Sequence, residues 1–138
     1  MAAERSEYRT SGGIRTSIGK GVALTAAAPT SFTPTDTAYP RAARAVAIDM
    51  VIDNGGTIAF RPAQLYFTAT VDGAPAKQVI DSTQGYTGVS GATDEVAPSQ
   101  SLRFTVAFAV PERTCKIEVS VRPDTAAATT IELYDGTV

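Results

Sequence analysis

The chain has no histidine. That excludes Ser-His-Asp and Cys-His nucleophile systems and every histidine-ligated metal. It has one cysteine, Cys115, so no internal disulfide staples the fold and no thiolate zinc cluster can form. It has no tryptophan, which together with the missing cysteine pair excludes an antibody-type domain. No apolar run reaches the length of about eighteen residues that a membrane-spanning helix needs. The opening Met1-Ala2-Ala3-Glu4-Arg5 lacks the apolar centre of a signal peptide. A net charge of −2 is too small to hold nucleic acid by bulk electrostatics. With charged residues at 19% and hydrophobic ones at 43%, the chain also falls outside the composition of disordered proteins.

What is present is a period of two. In residues 101–122, Leu102, Phe104, Val106, Phe108 and Val110 alternate with Arg103, Thr105, Ala107 and Ala109. Pro111-Glu112-Arg113-Thr114 interrupts the run, and Cys115, Ile117, Val119 and Val121 resume it. Alternation puts one set of side chains on one face, so these residues read as two half-buried strands joined by a short turn, a hairpin. Each buried Val, Leu or Phe contributes roughly 1.5–3 kcal/mol against the entropy of ordering. Cys115 falls on the inward face and reads as a small apolar filler.

Further strands are expected at Val22–Ala26, residues 42–53, 65–71, 76–80 and 129–134, with a brief strand or turn at residues 57–60. Residues 27–41, with three prolines, read as a loop or an irregular edge. No stretch supports a helix, and Ala126-Ala127-Ala128 is too short to nucleate one. Strands with one apolar face bury it by stacking two sheets. The expected fold is all-β: an immunoglobulin-like antiparallel β-sandwich of about seven or eight strands over residues 21–138, preceded by a flexible tail or linker at 1–20.

Chemistry-bearing residues are few. Gly13 to Lys20 superficially matches a phosphate-binding loop, but five residues separate Gly13 from Gly19, Gly21 follows the lysine and no apolar strand precedes, so it is rejected. Asp49 and Asp53 point outward on one strand, too far apart to share a proton, and read as solvated. Asp94 and Glu95, with Asp81 at the base of their loop, supply oxygens but match no calcium-loop spacing. No metal and no cofactor are expected. Residues 1–44 hold six basic and three acidic side chains, the remainder six and eleven, a basic arm that reads as solvated. The long Gly/Ser/Thr-rich loop at 82–100 is the favoured functional segment, because structureless loops of this length tend to carry function. Tyr86 within it, with Asp94 and Glu95, forms the candidate ligand or partner site.

Several of these features together resemble one family. The strand end Asp53-Asn54-Gly55-Gly56, the segment Phe60-Arg61-Pro62-Ala63-Gln64-Leu65-Tyr66-Phe67, the turn at Asp72-Gly73, and Val96-Ala97-Pro98-Ser99 leading into Phe108-Ala109-Val110-Pro111 are similar to the telokin-like domain of actinobacterial secreted and lipid-anchored proteins, related to the mycobacterial immunoprotective extracellular antigen. Phe108-Ala109-Val110-Pro111 matches that family's strand end, while Ser99 stands where the family has glycine. The resemblance spans roughly residues 20–135. It implies an immunoglobulin-like sandwich and an extracellular or cell-envelope setting, with any export segment or lipid anchor upstream, and it transfers no catalytic residue. The lone thiol points instead, weakly, to the cytoplasm.

The expected function is therefore noncatalytic: a module binding an unknown protein or cell-envelope partner through loops at one end of the sandwich, with no nucleic acid and no membrane span. The alternative is an assembly subunit that associates through edge strands, Val22–Ala26 or residues 129–134.

Overall fold

The computed structural model describes residues 14–88, 95–123 and 130–138. Among these residues are ten strands: β1 (Ile14–Gly19), β2 (Val22–Ala26), β3 (Thr30–Phe32), β4 (Ala45–Asn54), β5 (Tyr66–Val71), β6 (Ala74–Ala76), β7 (Gln78–Val79), β8 (Ser101–Ala109), β9 (Lys116–Arg122) and β10 (Ile131–Thr137). Single 3-10 turns occupy Pro62–Gln64 and Ser82–Gln84. The larger sheet runs β1-β2-β4-β8-β7, with β3 also paired to β4; the smaller runs β10-β9-β5-β6. All pairings are antiparallel. The sheets stack as an all-β sandwich. Leu24, Ile48, Met50, Ile52, Val106 and Phe108 from one sheet meet Phe67, Ile117, Val119, Val121 and Leu133 from the other. Cys115 is buried in the same core.

The strand count exceeds seven or eight because β1 and β3 form in stretches read as a tail and a loop, and one expected strand divides in two. β3 lies in the proline-rich segment. The stretch expected as one strand at 76–80 divides: Ala74–Ala76 pairs with β5, whereas Gln78–Val79 crosses to β8 in the other sheet.

Three expectations are corrected. Residues 101–122 do not form a hairpin, since β8 and β9 belong to different sheets. Their apolar faces look at each other across the core, and the connection between them is an arch. Arg44 fastens that arch, donating to the carbonyls of Pro111 at 2.9 Å and Arg113 at 3.1 Å. The tail assigned to residues 1–20 contributes β1 from Ile14 onward; pairing with β2 gives this polar stretch a place that its own composition does not demand. In consequence Val22–Ala26 is no edge, because β1 and β4 flank it on both sides. The larger sheet ends at β1 instead. β10, which spans most of the other nominated edge, does end the smaller sheet.

Asn54 closes one end of the sandwich. Its buried amide Nδ2 donates to the carbonyls of Ile58 and Val96, both at 2.8 Å, and its Oδ1 accepts from the Gly56 amide at 3.0 Å. This joins the turn after β4 to the segment leading into β8. Gly56 is needed here because a Cβ would collide with the Lys20 carbonyl of the β1–β2 turn. Ser99, in the turn leading into β8, adopts a left-handed φ of 68°.

Candidate functional site

The outward face of the larger sheet is built in two halves. Near the end of β8, Ala45 faces Ala109 and Ala47 faces Ala107 across the β4–β8 ladder. Four methyl side chains leave a shallow, apolar floor on which backbone can approach closely. Residues 33–39 and 80–86 cover it, and Ala38, Ala45, Val79 and Ala107 become a second small core with Phe32 and Tyr86 packed against it.

Asp81 holds this cover together. It is fully buried, and its carboxylate accepts the Thr35 amide at 2.8 Å, the Thr35 hydroxyl at 2.6 Å and Gln84 Nε2 at 2.8 Å. Burial pushes the carboxyl toward the protonated form, but the hydrogen bonds from Thr35 and Gln84 outweigh it and hold its pKa below the ordinary aspartate value. Thr37 and Thr83 share a hydroxyl hydrogen bond at 2.7 Å, and Tyr39 and Ile80 exchange both backbone bonds at 2.8 Å. The two loops thus form one unit, and its rim projects Tyr39.

Beside that rim runs a groove between the two sheets, of about 380 Å³. Tyr39, Pro40, Gln78 and Ile80 line one wall; Leu65, Tyr66 and Phe67 line the other. Its walls are mainly apolar, and no carboxylate is among its lining residues. Two of the most exposed large hydrophobic side chains among the described residues stand here, Tyr39 at 78% and Tyr66 at 54% exposure. The groove exists because β6 is short. It pairs only with Ala69–Val71 of β5, so residues 66–68 have no strand beside them on the seam side. The Arg122 guanidinium lies 5.8 Å from the centre of the Tyr66 ring, and its Nε is buried without a hydrogen-bond partner. A second depression, of about 410 Å³, lies on the outward face between Arg103, Thr105, Asp49 and the loop residues Gly85, Thr87 and Gly88.

Of the residues nominated from sequence, Tyr86 and Glu95 have different contact partners. Tyr86 is half-buried, its ring set edge-on against Phe32 with centroids 4.6 Å apart. Glu95 is exposed beside the Phe60–Val96 bridge and meets Arg61 at 3.4 Å. Asp94 lies outside the described residues. Asp49 accepts the Thr105 hydroxyl at 2.8 Å, and Asp53 meets Arg15 at 3.1 Å and the Ser101 hydroxyl. Among the described residues no group of three or more acidic or cysteine side chains is placed to hold a metal. Sequence reasoning passed over Tyr39 and Tyr66. The signal for Tyr66 was there, an aromatic at an outward position of β5; Tyr39 carried none beyond its place before a proline.

No family model matches the chain, and neither a curated protein nor a solved structure matches it.

Proposed function

We propose that this chain is a noncatalytic binding module that receives a polypeptide partner in the lateral groove between its two sheets. The observation that carries this reading is the exposure of Tyr39 and Tyr66 on opposite walls of one apolar groove. Tyrosines are large, rigid and amphipathic, and they make contact area at little entropic cost. A concave apolar site with few polar groups is the usual form of a binding pocket. The reading moves the contact surface from the end loops to the side of the sandwich. The telokin-like resemblance supports an extracellular or cell-envelope setting. Among the described residues no helix is long and apolar enough to cross a membrane.

The test is selection of a random peptide library on the immobilised protein, repeated on the Tyr39→Ala/Tyr66→Ala double variant. Peptides are expected that bind the parent and lose the variant. Enrichment of none, or binding that survives the double substitution, overturns the reading.

A second reading, assembly through edge strands, draws on β1 and β10, each of which ends its sheet. Sedimentation as a stable oligomer that a Thr16→Pro substitution in β1 dissociates would favour it.

A further inference from the structure

We propose that Asn54-Gly55 is a modification site that records unfolding: the native fold blocks its deamidation, and deamidation of the opened chain blocks return to the native fold. Asn54 is the only asparagine in the chain, and a glycine follows it. Asn-Gly is the dipeptide most prone to this reaction, because glycine has no side chain to shield its nitrogen. The Gly55 nitrogen loses its proton and attacks Asn54 Cγ. A C–N bond closes a succinimide ring, the Cγ–Nδ2 bond breaks, and the amide nitrogen leaves as ammonia. Water then opens the ring at either carbonyl, giving aspartate or isoaspartate. Water is the only co-reactant, and nothing is oxidised or reduced.

In the folded chain both reacting groups are engaged elsewhere. The Gly55 amide donates to the Gly21 carbonyl at 3.0 Å, which keeps the proton on the attacking nitrogen. The Asn54 side chain is held by three hydrogen bonds, from Nδ2 to the carbonyls of Ile58 and Val96 and from the Gly56 amide to Oδ1. The main chain of Asn54 is fixed as well: its amide donates to the Gln100 carbonyl at 3.0 Å, and its carbonyl accepts from the Ser99 amide at 2.7 Å. Ring closure needs the side chain and the Gly55 amide released together, which means opening this end of the sandwich. The same clamp rejects the product. A carboxylate has no hydrogens to give, so in this buried site it would face two carbonyl oxygens. Isoaspartate adds a carbon to the main chain before Gly55 and displaces Gly56, which has no room there even for a Cβ.

The test incubates the full chain at mildly alkaline pH, in native buffer and in denaturing guanidinium chloride, and follows loss of the Asn54 amide by peptide mass mapping. Deamidation is expected in denaturant and is expected to run at least about a hundredfold slower in native buffer, where only the opened fraction reacts. The denatured mixture is then returned to native buffer and challenged with protease. Chains that keep the amide are expected to resist, and deamidated chains in the same tube to be digested. Asn54→Asp installs one product without any incubation and is expected to lower the urea midpoint. Equal rates in the two buffers overturn the protection. Deamidated chains that resist protease as well as the others, or Asn54→Asp with the parent's midpoint, overturn the block on return.

Discussion

The two halves of the larger sheet's outward face obey the same alternation and end differently. Where the outward residues are Ala45, Ala47, Ala107 and Ala109, two loops settle on the strands and build a second core. Where they are Asp49, Val51, Asp53, Ser101, Arg103 and Thr105, the face carries cross-strand polar pairs and a water-accessible depression. Alternation says which side chains share a face. Their size and polarity decide whether anything covers that face.

Substitutions can erase this difference. The largest effect is expected from Ala107→Glu, which forces a charge and extra volume under the loops; it should cost about 3 kcal/mol or more. The matching change on the other half, Arg103→Glu, should stay within about 0.5 kcal/mol. Urea unfolding midpoints measure both, and equal losses would erase the distinction.

Asp81→Asn comes next. It removes the negative charge and turns one of the two accepting oxygens that tie residues 33–39 to 80–86 into a donor, so the unfolding midpoint at neutral pH should fall. The pH dependence has a definite sign. A carboxyl whose folded pKa lies below its unfolded value, about 3.9, stabilises fully above that value and loses the contribution as pH falls through the folded value. The parent should therefore lose stability on acidification below about pH 4, and the variant should lose less. Asp72 keeps some of the slope, because the Lys116 amide and Arg113 also hold its carboxyl below the ordinary range. An acid profile identical in parent and variant would remove Asp81 from the account.

Tyr86→Ala should cost about 1–2 kcal/mol by deleting a half-buried ring that packs on Phe32. It should leave groove-dependent peptide binding unchanged; loss of that binding at unchanged stability would return the contact surface to the loop. The smallest effect belongs to the polar half. Asp49→Ala or Thr105→Val should change stability by about 0.5 kcal/mol or less, since an exposed cross-strand pair contributes little. A thermal scan checks this against the much larger loss at Ala107.

Some of this was readable before any coordinates. The inward set Val106, Phe108, Val110, Cys115, Ile117, Val119 and Val121 is buried as the alternation requires. The outward alanines were visible too, but alternation alone assigned them to solvent. Nothing local distinguished an alanine left exposed from one that supports a loop. Tyr86 was legible as an aromatic among glycines, while its partner Phe32 lies more than fifty residues away. The groove was the least legible feature. It depends on where β6 stops, on the crossing from Ala76 to Gln78, and on Tyr39 meeting Ile80.

From its residues alone the chain determined an all-β sandwich, the strands that carry most of its core and the face each presents. Those follow from backbone geometry, in which successive side chains point to opposite sides whatever lies nearby. Which sheet a strand joins, that β8 and β9 arch across the core instead of pairing, and which gap between the sheets stays open were decided only in the folded molecule. Each is a choice of distant partner, set by hydrogen bonds and packing that no short stretch of sequence contains.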